Sequence, residues 1–191
     1  MRGPGIGHNQ GPSMERGEKW RGYLWKRARA AAMPKTMPLM IVKMHVARAH
    51  ALGLDYPTYA AVRKASGRDI MGLLFSSNAL RVVRADQPHM PVERGEVLSA
   101  VAGAKRLALV HRPLHPAAVR LANPALDAVD AAPKFTDSWG AMREHLGGVL
   151  TEQKLLGDQV LIIGDTAFER DWTTAARAAG YVEAARYFGR A

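Results

Sequence analysis

The sequence predicts an α/β protein: a parallel, Rossmann-like sheet covered by helices and preceded by a small basic helical region. Three observations predict it. From residue 70 onward, short apolar runs alternate with stretches of helical length. Those runs are continuously apolar, as strands buried on both faces of a parallel sheet must be. The basic charge precedes the alternation. Residues 1–68 carry 13 Lys and Arg against 3 Asp and Glu, residues 69–104 carry 3 against 4, and residues 105–191 carry 11 against 10.

Residues 1–17 are rich in Gly, with Pro4, Pro12, Asn9 and Gln10, and are expected to be a disordered tail. A glycine-rich stretch cradles phosphate only between a strand and a helix, and no strand precedes this one. Within it, GIGHNQGP resembles an N-terminal stretch of small phage-type and bacterial accessory proteins. Residues 18–68 are expected to form a basic helical arm. Its first helix covers 18–32, with Trp20, Leu24 and Ala28 on one face and Arg21, Lys26, Arg27 and Arg29 on the others. Its second covers 39–52, with Leu39, Val42, Val46 and Ala49 at core spacing, Lys43 and Arg48 outside, and Gly53 as its stop. The third covers 56–66, carries Arg63 and Lys64, and ends at Gly67.

The α/β domain is expected over 69–191. Its strands are IMGLLF (70–75), RLALV (106–110), a weaker LDAV (126–129) and QVLII (159–163). Helices are expected near 93–104, 116–122, 137–150 and 168–179. With 48% apolar residues the chain has material for a packed core. It has no cysteine, which excludes disulfides and thiolate chemistry and fits a reducing compartment. No apolar run approaches the roughly 20 residues that cross a bilayer, and the N-terminus has no apolar signal stretch. A cytoplasmic protein with no membrane span is the expectation.

Ligands of open α/β sheets bind outside the carboxyl ends of the strands. There the sequence places Ser76, Ser77 and Asn78 after the first run, and His111 and Arg112 after the second. Lys134 follows the third run, and Gly164, Asp165 and Thr166 follow the fourth. Each has a plain structural alternative. Ser76 and Asn78 suit a turn, His111 a surface loop, and Asp165 a helix N-cap. Glu169, Arg170 and Asp171 read as a solvated helix start, and Lys134 as exposed.

The order of these parts resembles the haloacid-dehalogenase-like (HAD) superfamily of phosphohydrolases over roughly residues 69–188. LLFSSNAL stands where that family has its Asp-x-Asp-Gly-Thr pattern, PVERGEVLSAVAGAKRLALVHRP is similar to its helix into the second strand, and VLIIGDTAFERDWTTAARAAGY is similar to its metal-binding loop and following helix. In that loop the acids are spaced more widely than in the family. The resemblance implies Ser76 at the nucleophile position, Asn78 at the acid/base position and His111 at the phosphate-binding hydroxyl. Lys134 and Asp165 match the family in type, and Asp165 and Asp171 are the metal candidates.

Those departures disable the family's chemistry. It needs a carboxylate nucleophile and a cation held by carboxylates. Serine is neutral, and asparagine neither donates nor accepts a proton as a general acid/base. With the first Asp lost, Mg²⁺ is at most weakly held, so no cofactor is expected. A Ser76–His111 pair would require two strand ends within hydrogen-bond reach, and no GxSxG elbow supports it. The sequence reading is therefore a non-catalytic HAD-like binding or regulatory protein. Its basic arm meets nucleic acid through Arg21, Lys26, Arg27, Arg29, Lys43, Arg48, Arg63 and Lys64. The alternatives are a phosphohydrolase using Asp165 with substitute groups, and a module that binds a protein partner.

Overall fold

A computed structural model describes residues 23–27 and 37–189. The chain divides between Ile41 and Val42 into a small N-terminal unit and an α/β unit. In the N-terminal unit residues 23–27 are helical and exposed, with Trp25 at 71% exposure. The expected tail at 1–17, together with Trp20, Arg21, Ala28 and Arg29, lies outside the described residues.

The α/β unit is built on five parallel strands in the order β3-β2-β1-β4-β5. They are β1 (Gly72–Ser76), β2 (Lys105–Val110), β3 (Ala128–Ala131), β4 (Val160–Gly164) and β5 (Gly180–Glu183). In chain order the helices are α1 (Leu39–Ala51), α2 (Tyr56–Ser66), α3 (Val92–Ala100), α4 (Pro116–Ala122), α5 (Trp139–Glu152), α6 (Ala167–Ala175) and α7 (Ala184–Phe188). The expected α/β class is what the structure shows. The fifth strand and α7 were not expected. The third strand lies two residues later than the apolar run that announced it.

Alternate residues of each strand feed two cores. Leu73 and Phe75 of β1, Ala108 and Val110 of β2, and Leu161 and Ile163 of β4 pack with α2, α3, α4, α7 and the end of α1. Leu74, Leu107, Leu109, Val160 and Ile162 pack on the other face against α5 and α6. Each fully buried Leu or Phe contributes about 1.5–3 kcal/mol relative to exposure. Both faces are therefore sealed, which explains the unbroken apolar strands. Sequential strands run outward from β1 through β2 to β3, and the chain then returns to place β4 on the opposite side of β1. The crevice between the carboxyl ends of β1 and β4 is thus the topological switch point, where such sheets take ligands.

Two expectations for residues 42–68 are corrected. This segment is part of the α/β unit. Ala49, Leu52, Leu54 and Tyr59 are buried in its core. Within α1 the inward face is also rotated from the expected one. Leu39 is 70% and Val46 45% exposed, whereas Arg48 turns inward. Its Nε donates to Asp69 at 3.1 Å, and Nη2 donates to the carbonyls of Ile70 at 2.6 Å and Gly103 at 3.0 Å. Arg63 lies 3.5 Å from the same Asp69 and donates to the Tyr59 hydroxyl at 3.1 Å. Lys43 and Lys64 are exposed. The stops at Gly53 and Gly67 stand, with φ of 69° and 71° in the left-handed region that favours glycine. Among the described residues no helix is long and apolar enough to cross a membrane.

Candidate functional site

Three strand ends meet on one side chain. Leaving β1, the chain makes a tight turn: the Ala79 N–H donates to Ser76 Oγ at 2.9 Å and the Leu80 N–H to the Ser76 carbonyl at 3.0 Å. This turn buries Ser76 and Ser77 and brings Asn78 toward β4. Leaving β2, the His111 N–H donates to Ser77 Oγ at 3.2 Å, which fixes the imidazole beside the same crevice. Leaving β4, Thr166 N-caps α6. Its hydroxyl accepts from the Glu169 N–H at 3.2 Å, and Glu169 reaches back to the cap, a reciprocal capping box.

Glu169 is the centre of the arrangement and is 0% exposed. Its Oε2 accepts from the N–H groups of Asp165 at 2.7 Å and Thr166 at 3.1 Å. Its Oε1 accepts from Asn78 Nδ2 at 2.8 Å and pairs with His111 Nε2 at 2.9 Å. Burial pushes this carboxyl up. The hydrogen bonds from His111, the Asp165 backbone, Ser76 and Asn78 outweigh it and hold the group below the usual glutamate range. Glu169 is therefore an internal carboxylate in a ready-made cradle of donors. The reading of Glu169 as part of a solvated helix start is corrected; only Arg170 and Asp171, both exposed, fit it. The signal that marks Glu169 in the sequence is the spacing Thr166-x-x-Glu169.

The structure brings Ser76, Asn78, His111 and the Asp165 backbone together, all on Glu169. The Asp165 side chain turns elsewhere, to Arg81 Nη1 at 3.6 Å, and Thr166 rather than Asp165 caps α6. Lys134 is exposed and does not reach Glu169 by any hydrogen bond. It lines a neighbouring cavity of about 310 Å³ with His111, Arg112 and Phe135. Phe135 is 85% exposed, with its ring 5.5 Å from that of Phe168. Trp172 underlies His111 with ring centroids 5.5 Å apart. Asp171 is exposed on α6, and among the described residues no group of three or more His, Asp or Glu side chains is placed to hold a metal. No protein family, curated protein or solved structure matches the chain.

Proposed function

We propose that this chain is a non-catalytic, HAD-like binding or regulatory protein whose basic N-terminal region contacts nucleic acid. One observation carries the first half: the crevice at the switch point holds the protein's own carboxylate. Each oxygen of Glu169 has at least two partners and neither meets solvent. A phosphoryl group approaching along β1 finds the donors already engaged by a fixed negative charge. Glu169 does not serve as the missing nucleophile, because a fully buried carboxylate has no open approach to a substrate. Ser76 is 0% exposed and cannot attack one. The Asn78 amide has no acidic proton to give.

The second half rests on charge. Residues 1–41 hold 8 Lys and Arg against 2 Asp and Glu. Lys26 and Arg27 are exposed, as are Lys43 and Lys64 beyond them. Arg48 and Arg63 contribute less, since their guanidiniums hold Asp69.

The test is an assay of a generic phosphate monoester with and without Mg²⁺, run beside a titration of labelled duplex and single strands. The expected result is no turnover above background and binding at low salt. Metal-dependent turnover abolished by Asp165→Asn would overturn the non-catalytic half. Absence of binding at low salt would overturn the nucleic-acid half in favour of a protein partner.

A further inference from the structure

Next to the switch point, α3 and α7 enclose a second cavity of about 360 Å³, lined by Pro91, Glu93, Arg94, Val97, Ala185 and Phe188. Among the described residues that line it, Arg94 is the one cation. The guanidinium carbon lies 4.3 Å from the centroid of the Phe188 ring. Phe188 is itself fixed by rings beneath it, Tyr187 at 5.0 Å and Phe75 at 6.0 Å. Nη1 of Arg94 is buried without a hydrogen-bond partner, and among the described residues no carboxylate forms an ion pair with this guanidinium. A planar, always-charged group is thus held against an aromatic floor with one buried nitrogen lacking an acceptor. Native structures rarely leave such a group unsatisfied, and the usual completion is a bound anion or ordered water.

The surroundings favour an anion. Arg81, just after β1, adds a like charge within electrostatic reach of Arg94, and burial and Arg81 together press its pKa down, with Asp165 alone opposing them. Asp165 pairs with Arg81 at 3.6 Å and acts on Arg94 only through the field. Arg81 also holds a left-handed backbone, with φ of 57°, without being glycine. Such strain collects where a side chain must be positioned. Apart from Arg94 and Glu93, the cavity walls are mainly apolar: Pro91, Val97, Ala185 and Phe188.

We propose that this cavity is a binding site for a small oxyanion carried on an apolar or aromatic body, a phosphate monoester or carboxylate, with Arg94 as the residue that grips the oxygens. Val97 and Phe188 receive the body, and Arg81 with Asp165 sets the local field. The site is separate from the Glu169 cradle, and it stands whichever partner the N-terminal region takes.

The experiment titrates the full chain with phenyl phosphate, benzoate and inorganic phosphate, observed by arginine Nε–H and backbone resonances and by thermal unfolding. Saturable shifts at Arg94, Val97 and Phe188 with phenyl phosphate or benzoate, stronger than with inorganic phosphate, are expected. The preferred probe tells a phosphate ester from a carboxylate. Arg94→Met should abolish saturation, and Arg94→Lys should weaken it by at least roughly tenfold, since the fork of donors is lost. Without ligand, Arg94→Met should leave the unfolding temperature unchanged or raise it, because an unpaired charge is removed. A fall in that temperature instead would make Arg94 a structural rivet on Phe188 and overturn the proposal. So would the absence of saturable shifts in the unsubstituted chain, equal binding of inorganic phosphate, or affinity unchanged in Arg94→Met.

Discussion

The side chain of Glu169 lies so close over Gly164 that a methyl group on Gly164 would stand 3.0 Å from both its Cβ and its Oε2. The same methyl would come within 2.8 Å of the Tyr181 ring. The glycine ending β4 therefore makes room for the buried carboxylate rather than for an unusual backbone.

Gly164→Ala should accordingly destabilise the protein by about 2–3 kcal/mol, the usual cost of overpacking a rigid site. Urea unfolding measures it. A neutral effect would mean that Glu169 yields easily, and with it the cradle.

Gly147→Ala should have the opposite sign. Gly147 lies within α5, is exposed, and has open space where a Cβ would project. Removing a helix-interior glycine there should stabilise by about 0.8–1 kcal/mol. Loss of stability on the same urea curve would contradict the helix.

Glu169→Gln should cost about 3 kcal/mol at neutral pH, because the amide NH2 must replace one of two oxygens that both accept hydrogen bonds, and the charge those donors face is removed. The carboxyl is held below its usual range in the folded state. Its contribution is therefore fully present above the unfolded glutamate pKa and is lost as pH falls through the lower folded value. The gap between the two proteins should narrow in acid. Stability measured at several pH values checks this, and a gap that widens in acid would refute it.

Affinity for duplex DNA should fall with salt at a log–log slope of about −0.9 per phosphate neutralised, hence roughly −4 to −5 for four to six contacts. Replacing Arg21, Lys26, Arg27 and Arg29 by Gln should flatten that slope while the α/β unit stays folded. Fluorescence anisotropy at several salt concentrations measures it. A slope untouched by the four substitutions would place the contacts elsewhere.

How much was legible depended on whether a residue's role follows its hydropathy. β1, β2 and β4 were, since their interior residues are buried on both faces and read as unbroken apolar runs. β5 was not. It has four residues at the sheet edge, of which only Val182 is buried. β3 slipped because Leu126, buried at 0% exposure but outside the strand, pulled the apolar run forward. The same limit governs the site. Ser76, Asn78 and His111 could be found from strand ends alone. Glu169 sits in Glu-Arg-Asp, a composition that looks wet; beyond the capping N–H groups of Asp165 and Thr166, its burial depends on Asn78 and His111, which arrive from two other strand ends. Arg94 gave no local sign at all, because an unpaired guanidinium is visible only when everything around it has been placed.

Arg48 has a consequence for where the chain can be cut. With its donors on Asp69 and on the carbonyls of Ile70, Ala102 and Gly103, it stitches α1 to the entrances of β1 and β2. A protein shortened to start at residue 69 would lose Arg48, Leu52 and Tyr59 together. One wall of the sheet would then open to water, and the product should precipitate or bind hydrophobic dyes. A cut before Val42 removes the most cationic stretch and leaves that stitch in place. Protease trimming of the intact chain should stop short of α1's second half.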